Sequence, residues 1–93
     1  HTGKYCDARE KNEMQAELEK IKASAKYAKS VGLDVHAGHG LNYQNVVEIA
    51  KIKEITELNI GHFIIGEAIF SGIEIAIKKM RKTMDDARLS SLA

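Results

Sequence analysis

Two short apolar stretches, residues 33–37 (Leu-Asp-Val-His-Ala) and 57–60 (Glu-Leu-Asn-Ile), each run directly into glycine and histidine. Together they constrain the chain more than any other feature. Both are short and bounded by glycine, as strands are. Their starts lie 24 residues apart, a span that holds a crossover with a helix. The intervening pattern agrees. Asn42 is a good N-cap for a helix over residues 43–51, with Val46, Val47, Ile49 and Ala50 as its buried side. Strands alternating with helices predict an α/β fold with a parallel sheet of βαβ units. Two strands do not make a stable sheet alone. Further strands are therefore expected upstream of His1, and the 93 residues by themselves are expected to fold poorly, with strand edges exposed.

The flanking segments read as helices. Met14, Leu18, Ile21, Ala25 and Ala28 follow at steps of four, three, four and three, one apolar stripe beginning near Asn12. Glu17 before Lys20 and Glu19 before Lys22 support that helix, and Gly32 stands where a helix C′ glycine belongs. After the second strand, a short helix is expected over residues 63–70. Gly72 interrupts it, and a longer helix follows with Ile73, Ala76, Ile77, Met80, Met84 and Ala87 at helical spacing. Residues 1–9 show no clear period; Gly3 reads as a turn or loop, and residues 89–93 as a frayed tail. The length allows one domain, with no internal boundary. A first residue that is not Met and belongs to a motif suggests that the sequence was cut upstream.

Composition excludes several classes of function. A net charge of +1 offers no basic field for nucleic acid, and three Tyr and two Phe, not interleaved with Lys or Arg, make no stacking platform. The apolar run Phe63-Ile64-Ile65 stops at Gly66-Glu67, far short of the ~20 residues of a membrane span. A single cysteine, Cys6, forms no internal disulfide and fits a reducing compartment. With no secretory signal pattern, a cytoplasmic location is expected.

The chemistry is expected where the two strands end. Ligands of parallel α/β folds bind at the carboxyl ends of strands. Glycines there let backbone N–H groups approach a ligand, and a helix beginning just beyond presents its positive dipole end to an anion. Gly61-His62 followed by a short helix fits the phosphate site often built from the last strand loops of a (β/α)₈ barrel. His39, between Gly38 and Gly40, projects from a loop and is the candidate for proton transfer, because imidazole changes charge near neutral pH. The plainer alternative is a loop-capping histidine. His62 has its own alternatives, capping the short helix or meeting phosphate through its backbone. His36 lies within the strand and reads as a structural, hydrogen-bonded residue. His1 has no reading from spacing. His36, His39, His62 and Cys6 are ligand types for zinc, but no CxxC or HExxH spacing occurs, so no metal site is assigned. Cys6 reads first as a small, partly buried thiol and second as a nucleophile.

The stretches His1-Thr2-Gly3-Lys4-Tyr5, Gly32-Leu33-Asp34-Val35-His36-Ala37-Gly38-His39-Gly40-Leu41 and Glu57-Leu58-Asn59-Ile60-Gly61-His62-Phe63-Ile64-Ile65-Gly66 resemble the pyridoxine 5′-phosphate synthase family, in order and in spacing. His36 departs from the Asn found at that position in some members. The resemblance implies the C-terminal part of a TIM (β/α)₈ barrel, from the end of strand six through helix eight. It implies condensation of 1-deoxy-D-xylulose 5-phosphate with 3-amino-2-oxopropyl phosphate to pyridoxine 5′-phosphate, inorganic phosphate and water, with no metal or organic cofactor. By the same resemblance His39 is the proton donor, while Gly40 and Gly61-His62 contact the aminoketone phosphate. It further implies homo-oligomers, and a Glu, a second His and phosphate-gripping arginines upstream of His1.

Two other classes compete with the enzyme reading. A noncatalytic phosphate-ligand binding module would use Gly40 and Gly61 but not need His39 as a proton donor. A helical interaction module would fold alone as a monomer, without added strands.

Overall fold

The computed structural model describes residues 1–92. Its elements follow in the order α1 (Gly3–Asp7), α2 (Lys11–Ser30), β1 (Val35–Gly38), α3 (Val46–Ala50), β2 (Ile55–Asn59), α4 (His62–Ser71) and α5 (Ile73–Leu92). The two strands pair in parallel with α3 in the crossover. The α/β reading and the alternation of strand and helix hold. Several local expectations do not, among them the start of β2, which lies at Ile55 rather than Glu57. Residues 3–7 form a one-turn helix rather than a loop, pinned by a hydrogen bond from the Tyr5 hydroxyl to the Asn45 carbonyl (2.7 Å). The segment expected to fray stays helical through Leu92, helped by Arg88, whose guanidinium reaches back to three main-chain carbonyls.

Local chemistry sets the boundaries. α2 buries Leu18 and Ala25, with Met14 and Ile21 packed beside them, and the Glu17–Lys20 and Glu19–Lys22 pairs lie along its outer face. It ends in a Schellman motif: Gly32 takes φ 86°, Gly32 N–H bonds the Lys29 carbonyl (3.1 Å), and Leu33 N–H bonds the Ala28 carbonyl (3.0 Å). β1 starts two residues later than the pattern suggested, because residues 33–34 complete this exit. The regular turns of α3 also begin late, at Val46. Asn42 nevertheless caps the turn leading into it. Its Oδ1 accepts from the N–H groups of Gln44 (2.9 Å) and Asn45 (2.8 Å), while Asn45 Oδ1 accepts from Asn42 N–H (2.7 Å). That exchange is a capping box built from two asparagines.

In β2, Ile55 is buried and Leu58 half-buried although they stand three residues apart. A strand cannot point both inward without an extra residue. The ladder supplies one: Val35 pairs with Ile55 but His36 pairs with Glu57, so Thr56 is the additional residue. Val35, Ala37, Ile55 and Leu58 then face one core with Leu18 and Ala25 of α2, Val46 and Ile49 of α3, Ile64 of α4, and Ala76 and Met80 of α5. Opposite faces of the same strands carry His36, Glu57 and Asn59, all exposed. Ile73 and Ile77, placed in the buried stripe by spacing, are instead 48% and 53% exposed. Ile65, Ile69 and Phe70 of α4 are likewise exposed.

Candidate functional site

Both glycine–histidine motifs open onto one cleft of about 550 Å³, walled by His39, Gly40, Asn42, Asn59, Gly61 and His62 among others. The two loops are held close because β1 and β2 approach tightly at their ends. A β-carbon at Gly38 would lie 2.6 Å from the Asn59 carbonyl oxygen and 2.9 Å from Asn59 Cβ. Beyond Gly38 the backbone turns through His39 (φ 94°) and Gly40 (φ 81°). Gly40 has a second reason to lack a side chain, since a β-carbon there would sit 2.9 Å from Cys6 Cβ. Leu41, 2% exposed, anchors the loop in the core, and Asn45 Nδ2 reaches the Gly40 carbonyl (3.4 Å).

The facing wall is the start of α4. Gly61 is its N-cap residue and the Ile65 N–H bonds the Gly61 carbonyl (3.0 Å). The first-turn N–H groups of a helix have no partners within it, and they carry the positive end of its dipole. A β-carbon at Gly61 would meet no protein atom within 4 Å, so glycine here leaves open space beside those amides. Phe63 braces this wall edge-on against Tyr43, centroids 4.7 Å apart, with Lys79 Nζ 4.4 Å from the far ring's centroid. A cleft lined by an exposed histidine and by a helix N-terminus can hold an anionic group on one side and exchange a proton on the other.

The remaining candidates lie elsewhere. His36 is on the open sheet face with Nδ1 3.3 Å from Glu57 Oε2, both side chains about half exposed. Cys6 is partly buried, and burial first, with Asp7 adding to it, pushes its thiol up, while the neighbouring Thr2 side chain works the other way. A thiol held protonated is a poor nucleophile. Among the described residues no three or more His, Cys, Asp or Glu side chains converge as metal ligands. No described helix is long and apolar enough to cross a membrane.

Three features beside the cleft were missed in the sequence. The His1 ring stacks on His39, centroids 4.4 Å apart and planes inclined by 26°. Thr2, only 1% exposed, donates its hydroxyl hydrogen to the His39 carbonyl (2.7 Å). Asn59 lines the cleft from the end of β2. No local periodicity announces His1 or Thr2, because both contacts span about 37 residues of chain.

Among curated proteins, pyridoxine 5′-phosphate synthase of Sulfurihydrogenibium sp. (strain YO3AOP1) is 61% identical over 88 residues, covering 95% of this chain and 36% of its own length. The protein of the same name from Zymomonas mobilis subsp. mobilis is 58% identical over 88 residues, 95% of this chain and 34% of its own length. That of Caulobacter sp. (strain K31) is 53% identical over 96 residues, all of this chain and 38% of its own length. The chain thus spans roughly a third of the relatives it matches. The family model described as "Pyridoxal phosphate biosynthesis protein PdxJ" matches residues 1–86, which takes in both glycine–histidine loops and every cleft residue, and the chain belongs to that family.

Proposed function

We propose that residues 1–93 form the C-terminal portion of a single (β/α)₈ barrel domain, from the end of strand six through helix eight. In this reading β1 and β2 are strands seven and eight. Support comes from the exposed polar face with His36, Glu57 and Asn59, which a closed barrel would turn inward. The Thr2 N–H also donates to the Gly38 carbonyl (2.9 Å), a backbone contact to β1 from outside the β1–β2 pair.

The complete protein then acts as a pyridoxine 5′-phosphate synthase in vitamin B6 biosynthesis. It condenses 1-deoxy-D-xylulose 5-phosphate with 3-amino-2-oxopropyl phosphate and releases pyridoxine 5′-phosphate, inorganic phosphate and water. The observation carrying this reading is the single cleft shared by His39, Gly40, Gly61 and His62 in a chain 61% identical to a protein of that name. The aminoketone phosphate would rest on the α4 N-terminus, with Gly61 and His62 on one side and Gly40 on the other. His39 would deliver the proton to an oxygen leaving as water, since each dehydration on the way to the aromatic ring expels a poor leaving group unless it is protonated. The upstream part of the barrel would bring the pentulose phosphate and the remaining acid–base groups. No metal or organic cofactor enters the scheme. Cytoplasmic location and homo-oligomeric assembly belong to the same proposal, the latter in keeping with the exposure of Ile65, Ile69 and Phe70 on one short helix.

Gly61→Val tests the phosphate site in a full-length chain bearing this segment. A β-carbon there meets no protein atom within 4 Å, so the fold should survive and only the ligand's approach be blocked. Affinity for the aminoketone phosphate, read by calorimetry, should fall by about tenfold or more, the loss of one or two hydrogen bonds to a charged group. Unchanged affinity in the folded variant would remove phosphate from this position.

A further inference from the structure

His39 is the one non-glycine residue with positive φ among those described. An L side chain disfavours that region through contact with its own backbone, so the loop needs something to hold it. The groups that touch His39 itself come from one distant segment. Thr2 Oγ1 donates to the His39 carbonyl at 2.7 Å, and Cys6 Sγ approaches the same oxygen at 3.4 Å. The His1 ring stacks on the His39 ring. Gly3 makes room for that stack, since a β-carbon there would lie 2.6 Å from His1 Cε1 and 3.2 Å from His39 Cδ2. Gly3 N–H also donates to His1 Nδ1 (3.2 Å), which fixes the plane of the stacking ring.

We infer that Thr2 is a positioning residue for His39, with His1 as the stacking partner that orients its ring. The inference rests on the reading of His39 as the proton donor. Thr2 is buried at 1% exposure, so its hydroxyl is spent on this one carbonyl rather than on water. The consequence extends one residue further. A trans peptide holds its C=O and N–H on opposite sides, and the described residues contain no cis bond. Tying the His39 carbonyl to Thr2 therefore turns the Gly40 N–H away from the His1–Cys6 side. One buried hydroxyl thus sets both the proton-donating ring and the adjacent amide beside the cleft.

The test uses a full-length chain and measures kcat and KM separately, with thermal unfolding as a check on folding. Thr2→Val keeps the shape and removes the donor, while Thr2→Ser restores the hydroxyl. We expect Thr2→Val to lower kcat roughly 10–100-fold, the scale for small misplacement of a reacting group, with a smaller change in KM, and Thr2→Ser to recover most of it. His1→Ala, at an exposed position, should slow the reaction less, and His1→Phe, which keeps a ring for stacking, should recover that loss. In the His39→Asn background, Thr2→Val should cost little more, because a residue acting through His39 has nothing left to position. Full kcat in folded Thr2→Val, or losses that add in the double variant, would overturn the inference while leaving His39 as donor. A His39→Asn enzyme at the wild-type rate would overturn both readings. If Thr2→Val does not fold, His1→Phe decides: a rate as low as that of His1→Ala overturns the stacking role.

Discussion

Gly38→Ala probes the tight strand end on which the whole cleft depends. The added methyl carbon would lie 2.6 Å from the Asn59 carbonyl oxygen. A comfortable carbon–oxygen contact is about 3.3 Å, so the strands must part by ~0.7 Å at that point. The obstructing atom is ladder backbone, which cannot swing aside as a long side chain would. Overpacking of this kind costs about 1–3 kcal/mol. It also separates the His39 loop from the Gly61 loop, because Gly38 and Asn59 are register partners one and two residues before them. A displacement near 1 Å can cost about 10²-fold in rate, so a fall of roughly 10–100-fold in kcat is expected. The assay is urea unfolding of the full-length protein, with the midpoint and slope followed together, alongside turnover with both substrates saturating. Gly66→Ala is the control: it lies in α4, where a β-carbon meets nothing within 4 Å, and should gain about 0.5–1 kcal/mol. Gly38→Ala within about 0.5 kcal/mol of wild type and with full turnover would refute the reasoning.

Two further outcomes concern stability and reactivity. Arg88→Met should lower stability by about 2–3 kcal/mol in urea unfolding, because it strips charged donors from the Ala50, Ile52 and Ile55 carbonyls at once, and a loss below about 0.5 kcal/mol would mean that water replaces them freely. Cys6 should alkylate more slowly than a free thiol at pH 8 and reach half its maximal rate at a higher pH than an unperturbed cysteine, since burial holds the proton on sulfur; alkylation as fast as that of a small free thiol would contradict this.

Much of the fold and cleft could be read from the sequence because the signals are local. Gly32 after the α2 stripe, Asn42 before α3 and the two glycine–histidine strand ends each depend on neighbours within a few residues. What escaped depends on distance. The α1 turn forms because Tyr5 reaches Asn45, a partner 40 residues away. The β2 bulge at Thr56 is set by register with β1 rather than by composition. Ile73 and Ile77 obey the helical period and are still about half exposed, because the core covers only the narrower stripe of Ala76, Met80 and Ala87 on the same helix. Helical spacing ranks faces of a helix, but which face is covered depends on what packs there. Thr2 and His1 carry no pattern of their own; only the fold brings them to His39.

The central claim is that His39 donates a proton at the cleft, and single-turnover formation of pyridoxine 5′-phosphate by a full-length His39→Asn enzyme tests it most directly. Asn is the sharper substitution for a structural reason. It tolerates positive φ better than most residues, so the loop at φ 94° should keep its course and the Thr2 bond to the backbone carbonyl should persist. Its amide can hydrogen-bond but cannot give up and regain a proton near neutral pH. The fold should remain intact because His39 is exposed, and affinity for the aminoketone phosphate should change little because the contacts proposed for it come from neighbouring backbone groups. With both substrates saturating, the account predicts a rate about 10²–10⁴-fold below wild type, the scale for losing a positioned acid. A folded His39→Asn enzyme forming product at the wild-type rate would contradict it and leave His39 as a loop residue with no part in the chemistry.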